Sequence, residues 1–234
     1  MPKSAVAVKD ATVSMVASND ALPAHLQAVE STGRGNENVG NAIAIPRIKL
    51  LQKMSNEVDR HHSNYIEGCE PGHFVNTVTN ENYRNDIYAL SLTFKIEHVV
   101  WRDMEKGGGY LGAFTSQSEA TAAINQQDVP ADYAINETHS HLILLKNPIT
   151  GELDRAPCVM DFASSKLRVS KAWNSQIGMK GQDRFAGLWK VSGVPTENKM
   201  GKAFMNCEVS WVGWAQDTDY QSAEAHYNQF VNNF

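Results

Sequence analysis

Hydrophobic residues are distributed differently before and after residue 43 of this chain. The first 64 residues contain no aromatic side chain, and STGRGNENVGNA (31–42) has the glycine and polar content of a flexible linker. Beyond residue 43 the hydrophobic positions become periodic. We therefore predict a flexible N-terminal arm (1–42), a folded domain (43–214) and a C-terminal tail (215–234).

The folded domain alternates between runs typical of β-strands and short turn signals. IAIPRIKLLQ (43–52) sets apolar residues around Arg47 and Lys49, as a strand bent at Pro46 does. Glycines in NPITGE (147–152) and TENKMGK (196–202) favour hairpin turns. Further runs rich in β-branched and aromatic residues span 72–79, 86–102, 138–147, 155–164, 184–193 and 202–214.

Two helices interrupt this series of strands. SQSEATAAINQQ (116–127) has Ser116 and Glu119 in capping-box register. A second helix is predicted from Ser165 to Gly178, with an apolar face made by Leu167, Val169, Trp173 and Ile177. The pattern predicts a mainly β (α+β) fold, a small antiparallel barrel with two inserted helices.

Composition narrows the class of protein. The chain has 234 residues with 42% hydrophobic and 20% charged residues, which is ordinary for a soluble globular domain. Its three scattered cysteines show no CxxC spacing, so neither a disulfide framework nor a zinc site is expected. No apolar run approaches the roughly 18 residues of a membrane span. We expect a protein of a reducing cytoplasm, without membrane contact.

Two short motifs raise the question of an enzyme or a metal site. GGGYLG (107–112) fits G-x-G-x-x-G, but WRDMEK separates it from the preceding strand and the helix begins only near Ser116, so a mobile loop is favoured. His139 and His141 share one face of a predicted strand without a third ligand, and solvent-facing alternation is the simpler interpretation. We expect a non-enzymatic protein without cofactor or metal.

A basic stretch stands out in this acidic chain. The formal net charge is −5, yet residues 165–190 hold six cations against one acid, Asp183, for a local net charge of +5. Aromatic residues are interleaved with these cations. Trp173 belongs to the apolar helix face and is expected in the core, whereas Phe185 and Trp189 follow on a strand beside Arg184 and Lys190.

Cations interleaved with aromatics on a sheet are typical of surfaces that bind single-stranded nucleic acid. Phosphates bind Lys and Arg, while unpaired bases stack on rings for about 1–3 kcal/mol each. No helix-turn-helix or zinc module, as used on duplexes, is evident. The candidate interface comprises Arg47, Lys49, Trp101, Arg102, Lys106, Tyr110, Lys166, Arg168, Lys171, Lys180, Arg184, Phe185, Trp189 and Lys190.

Several segments also resemble a known family. SSKLRVSKAWNS (164–175), TENKMGK (196–202), IPRIKLLQ (45–52) and VVWR (99–102) are similar to segments of bacteriophage single-stranded DNA-binding proteins of the OB-fold type, over roughly residues 43 to 214. The resemblance implies an OB-like β-barrel that coats single-stranded DNA during phage replication or recombination, in the host cytoplasm.

The tail departs from that family. Its best-known members end in a dense acidic run closed by an aromatic, whereas the last 32 residues here carry a net charge of only −4 and end in Phe234. A free tail predicts competition with DNA for the basic stretch and binding of replication or recombination proteins through Phe234. The alternative is a docked helix carrying Ala225, Tyr227, Phe230, Val231 and Phe234.

Two functional hypotheses follow, with an enzyme whose site the sequence does not reveal as a third. The leading one is a single-stranded DNA-binding protein with a basic, aromatic-lined groove. Its rival is a phage structural or assembly protein that uses the basic patch for protein contacts. The sequence leaves open whether the protein forms a homo-oligomer and whether it prefers DNA or RNA.

Overall fold

Eight strands and three α-helices make up the part of the chain that the structure, a computed structural model, describes: residues 45–231 and Phe234. The predicted arm (1–42) lies outside the described residues. The strands are β1 (Arg47–Leu50), β2 (Phe74–Asn76), β3 (Asp86–Arg102), β4 (Tyr110–Phe114), β5 (Tyr133–Lys146), β6 (Cys158–Ala163), β7 (Gly187–Glu197) and β8 (Ala203–Trp214). The helices are α1 (Gln117–Asn125), α2 (Leu167–Lys180) and α3 (Asp217–Phe230).

All eight strands belong to one strongly curled, half-barrel sheet. Its order is β2-β1-β6-β5-β3-β7-β8, and β4 pairs with the far end of β3. Every pairing is antiparallel except β1 with β6. The prediction of a mixed, mainly β, barrel-like fold is confirmed at this level. Among the described helices none has the length and apolar content needed to cross a bilayer.

The side chain of Gln52 connects strands β1 and β8, which lie near opposite ends of the strand order. Just after β1, the Gln52 amide donates to the Met205 carbonyl on β8 and accepts from the Met205 N–H, each at 2.9 Å. Nearby, a Cβ at Gly193 would collide with the Gly72 carbonyl oxygen. We call this junction the seam. It brings β1 and β8 together without a ladder of backbone hydrogen bonds.

Helix α2 closes the inner face of the half-barrel. The main core cluster takes residues from seven strands, and α2 inserts Trp173 and Ile177 among them, with Val169 packed at the edge. These residues follow a spacing of four, as the apolar face predicts. The helix runs two residues beyond the predicted end at Gly178 and stops before Gly181, whose φ of 66° provides a left-handed cap.

Helix α1 packs on the outlying part of the sheet that β3, β4 and β5 form. Ser116 caps it by accepting a hydrogen bond from the Glu119 N–H at 3.3 Å, as the capping-box register predicts. The glycines of GGGYLG do not open a helix as those of a dinucleotide loop do, since a strand follows them. Gly107, Gly108 and Gly109 have positive φ and make the turn from β3 to β4, which begins at Tyr110.

The C-terminal segment is the docked helix, and the free-tail expectation is wrong. Helix α3 buries Ala223 and packs aromatic side chains against Leu90 and Leu142 on the outer face of the sheet. Asp219 forms a largely buried ion pair with Lys146. Phe234, expected as a free ligand for partner proteins, instead joins this second cluster beneath Lys95. Ala225, expected on the docked face, is exposed.

Trp189→Ala is expected to lower the free energy of unfolding by about 3–5 kcal/mol, because it removes a fully packed ring from the main core. Trp214→Ala, which truncates an exposed ring, is expected to change it by about 0.5 kcal/mol or less. Urea unfolding of both variants checks this. Equal losses of stability would contradict the described packing of Trp189.

Deletion of residues 217–234 is expected to lower the melting temperature, because it uncovers the apolar outer face around Leu90, Leu92, Leu142 and Leu144. Differential scanning calorimetry of the full and truncated chains measures the effect. An unchanged melting temperature would show that α3 is not docked in solution.

Candidate nucleic-acid interface

The basic stretch 165–190 divides between the surface and the core. Arg168, Lys171 and Lys180 are exposed on α2, on the sides that face away from its packed stripe. Lys166 is half-buried and donates to the Asp161 carbonyl at 3.2 Å. Lys171 lies 3.6 Å from Glu137. The helix carries no acidic residue, so its outer surface is positive.

Phe185 and Trp189 are not available for base stacking, and their prediction as stacking residues is wrong. Phe185 is 5% exposed beneath α3, with its ring centroid 5.1 Å from Tyr220. Trp189 is 1% exposed and packs 6.3 Å from Trp173. Strand β7 lies between β3 and β8, so its inward residues belong to the core. The alternation of Trp189 with Lys190 therefore reflects an inner and an outer face.

Several other predicted cations are paired with carboxylates. Lys190 forms an ion pair with Asp86 at 2.9 Å, which raises the pKa of Lys190. On β1, Arg47 pairs with Asp161, and Lys49 pairs with Glu57 at 2.7 Å. The structure thus offsets the positive charge of these side chains, which makes them weaker candidates for phosphate contacts.

Arg184 belongs to a polar network rather than to the open surface. Its guanidinium donates to Ser91 Oγ at 2.8 Å and to Asn174 Oδ1 at 2.7 Å, and lies 3.0 Å from His141 Nδ1. Burial lowers the pKa of Arg184 to about 10. The side chain thus ties the turn before β7 to α2 and β5.

His139 and His141 are buried under α2, so the expectation of solvent-facing histidines is wrong. Ser170 Oγ lies 2.9 Å from His139 Nδ1 and 2.7 Å from His141 Nε2. The Glu137 carboxylate lies 3.0 Å from His139 Nε2. These contacts occupy both ring nitrogens of His139. In the described residues no group of three or more His, Cys, Asp or Glu side chains could hold a metal ion.

The order Glu137, His139, Ser170 is that of an orienting acid, a base and a hydroxyl nucleophile. Ser170 is fully buried, however, and His141 covers it from the other side. A nucleophile must reach its substrate, and this hydroxyl does not. We therefore assign the network to holding α2 in the half-barrel.

Trp101 and Tyr110 form an exposed aromatic pair on the face of the sheet opposite to the basic helix. Their side chains are 47% and 59% exposed, with ring centroids 5.2 Å apart. Trp101 pairs with Ala134 on β5, three residues before Glu137, which contacts Lys171 of α2. Because three is an odd number of residues along a strand, the Trp101 side chain lies on the face opposite to that of Glu137. Arg102 is paired with Asp132 at 3.0 Å. Lys106 is exposed at the nearby turn.

We call residues 101–133 the hairpin lobe. It holds five acids against two bases, for a net charge of −3. Its aromatic pair therefore sits in negative surroundings, which disfavour phosphates. The predicted interface residues do not converge on one groove.

A groove does lie between α2 and β8. Arg168, Ala172, Gln176 and Lys180 follow one another at intervals of four and so form one row on the helix. The first three of them line a cavity of about 740 Å³ together with Phe204, Asn206 and Val209 of β8. Lys199 adds a cation at the β7–β8 turn, and Glu197 and Glu208 add acids. We call this feature the α2–β8 groove.

Two tryptophans that the sequence analysis did not single out continue this groove. Lys180 Nζ lies 3.9 Å from the ring centroid of Trp211, and Trp214 lies 5.0 Å from the same ring. Trp214 is 57% exposed. The sequence signal that identifies these two tryptophans is SWVGW (210–214), at the end of a predicted strand. The Lys180 cation and the exposed Trp214 indole form one surface at the end of the groove, which we call the Trp214 platform.

The neutral state of His141 leads to a pH dependence of stability. Burial, with Arg184 and His139 nearby, lowers the pKa of His141 from 6.5 to about 2. The unfolded chain takes up a proton below pH 6.5 that the folded chain does not. This contribution to stability is therefore complete above pH 6.5 and is lost progressively as the pH falls towards 2, by up to about 1.4 kcal/mol per pH unit.

His141→Gln is expected to make the fall in unfolding free energy between pH 6 and pH 4 shallower than in the parent chain. Urea unfolding at several pH values measures the slope. The control is His61→Gln, in an exposed loop, which should leave the slope unchanged. Identical slopes for the parent and His141→Gln would contradict a neutral buried His141.

Comparison with known proteins adds the affiliation of the chain. No curated protein and no solved structure matches it. A family model described as Pam3 phage gp34-like protein matches residues 16–233, which covers the whole sheet, both inserted helices and nearly all of the docked C-terminal segment. The chain is therefore a phage protein that belongs to the Pam3 phage gp34-like family.

Proposed function

We propose that this protein binds single-stranded DNA, without catalysis, in the α2–β8 groove. The observation that supports the proposal is the row of α2 that carries Arg168 and Lys180 and ends against Trp211 and the exposed Trp214. Positive charge and an accessible indole in one groove are the two features that single-stranded nucleic acid requires.

Each part of the groove has a physical role in this proposal. Arg168 and Lys199 at one end of the groove, Lys166 behind them and Lys180 at the other end contact separate phosphates along the strand, and each neutralised phosphate releases counterions. The free face of Trp214 stacks on an unpaired base, while Lys180 keeps a cation beside the ring. Glu197 and Glu208 offset part of this positive charge and therefore lower the affinity of the groove for phosphates.

The finer features predicted from the sequence belong to the same proposal. An OB-type barrel binds oligonucleotides on a curled sheet beside variable loops, and the curled half-barrel with its groove suits that use. We propose a role in coating single strands during phage replication or recombination in the host cytoplasm. Phe234 has no part in it, because the ring is docked on the chain itself.

A second candidate function rests on the hairpin lobe. Trp101 and Tyr110 are exposed beside Met104, which is also exposed, in a segment of net charge −3. An exposed apolar patch in negative surroundings suits a protein better than a polyanion. This observation favours the assembly hypothesis, moved from the basic patch to the opposite end of β3.

The test is a fluorescence titration with labelled poly(dT) at several salt concentrations. Four cations that contact phosphates predict a slope of log affinity against log salt of roughly −3, at about 0.7 per phosphate on single strands. Absence of binding at low salt would remove this proposal and leave the assembly function.

Trp214→Ala is expected to weaken poly(dT) binding by about 5- to 150-fold, since base stacking on a ring is worth about 1–3 kcal/mol. Trp101→Ala is the matched control, because it truncates another exposed indole outside the groove. It should leave the affinity within about twofold. A loss on Trp101→Ala alone would place the interface on the hairpin lobe.

A further inference from the structure

A second cavity lies between β3, the turn before β7 and α3. It has a volume of about 440 Å³, and we call it the Arg184 pocket. The side chains that matter for its chemistry are Phe94, Asp183, Arg184, Glu224, Tyr227 and Asn228. Neither the buried histidine network nor the DNA groove proposed above assigns a role to this cavity.

Arg184 brings a positive charge that its protein partners do not neutralise. Its hydrogen bonds go to Ser91, Asn174 and His141, all of them uncharged groups. The guanidinium lies over the Phe94 ring at 5.4 Å. Within residues 45–231 no carboxylate pairs with it, and Nη1 takes part in none of these hydrogen bonds. The cavity is where an acceptor can reach this group.

Acceptors and flat apolar surfaces occupy the rest of the pocket. Asp183 and Glu224 are exposed at its rim, and Asp183 also accepts a hydrogen bond from the Tyr220 hydroxyl at 2.5 Å. Phe94 and Tyr227 supply aromatic walls. A ligand that fits must therefore be flat, accept hydrogen bonds on one edge and donate them on another.

Guanine meets this description better than the other DNA bases. Its O6 and N7 form the acceptor edge that arginine commonly binds, and the Nη1 group of Arg184, which takes part in none of the hydrogen bonds above, donates to this edge. Its N1–H and N2–H₂ groups on the neighbouring edge donate to carboxylates. Cytosine offers one amino group as donor, adenine sets a donor beside N7, and thymine has a single ring N–H. From this complementarity we infer that the Arg184 pocket binds a guanine base.

The pocket adjoins the end of the proposed DNA groove. Asp183 and Arg184 also line the small cleft that Lys180, Trp211 and Trp214 form. A strand that leaves the Trp214 platform therefore arrives at the pocket and can place one base in it. As far as it concerns DNA, this inference rests on the proposed function, whereas binding of a free guanine nucleotide does not.

Calorimetric titration with dGMP, dAMP, dCMP and dTMP tests the base itself. All four carry the same phosphate, so a difference between them reports the base. We expect dGMP to bind at least tenfold more tightly than the others. Equal affinities would show that Arg184 binds only the phosphate, and absence of binding would show that the pocket takes no nucleotide; either result overturns the inference.

Glu224→Gln removes a rim carboxylate with almost no change of shape. We expect it to weaken dGMP binding about tenfold while the affinity for poly(dT) stays within twofold, because Glu224 lies outside the groove. Glu152→Gln, an exposed change of the same charge in the β5–β6 turn, is the control and should leave both affinities unchanged. An unaltered dGMP affinity in Glu224→Gln overturns the assignment.

A pair of oligonucleotides separates the two proposals. Oligo(dT) of 15 residues is compared with the same strand carrying one guanine at an end, which we expect to bind at least fivefold more tightly. Binding of both with equal affinity retains the groove and overturns the pocket as a base site on the path of the DNA. Binding of dGMP without binding of either strand retains the pocket, as a site for free guanine nucleotide, and removes the groove.

Discussion

The stack of Trp173 on His141 is the contact on which the rest of the structure depends. The two rings are nearly parallel, with centroids 4.6 Å apart at an angle of 4°, and both are fully buried. Trp173 comes from α2 and His141 from the middle of the sheet, so the pair fixes where the helix lies inside the half-barrel. Ser170, one turn earlier, reaches the same histidine.

The same contact also determines where the charged side chains of α2 lie and how Arg184 is held. With α2 held in place, the row from Arg168 to Lys180 faces β8, and Asn174 comes within reach of Arg184. His141 remains neutral and therefore accepts from Arg184 without adding a second positive charge. A protonated His141 would place two like charges 3.0 Å apart in the core, which costs free energy in a medium of low dielectric.

The sequence predicts regular elements well where one periodicity dominates. β3 begins and ends at the predicted residues, and both inserted helices lie where capping and apolar spacing put them. β4 was missed because three glycines before Tyr110 resemble a loop until they are seen to turn the chain back on β3. The docking of α3 was one of two alternatives, since the apolar residues of a short segment do not show what they pack against.

The site was harder to predict because alternation along a strand does not say which face is covered. The second half of β5 is buried on both faces, and α2 covers the inner face of β7, so His139, His141 and Trp189 lie inside although polar neighbours suggested otherwise. Trp101 and Tyr110 are exposed as expected, but the register of β3 with β5 puts the Trp101 side chain on the face of the sheet opposite to the basic helix. Trp214 gains its exposure from the last position of an edge strand, which only the strand order reveals.

At the seam, one glutamine amide replaces a backbone ladder, so two hydrogen bonds, worth about 1 kcal/mol each, join β8 to β1. Because β8 is also one wall of the groove, we expect the width of the groove to depend on the side chain of Gln52.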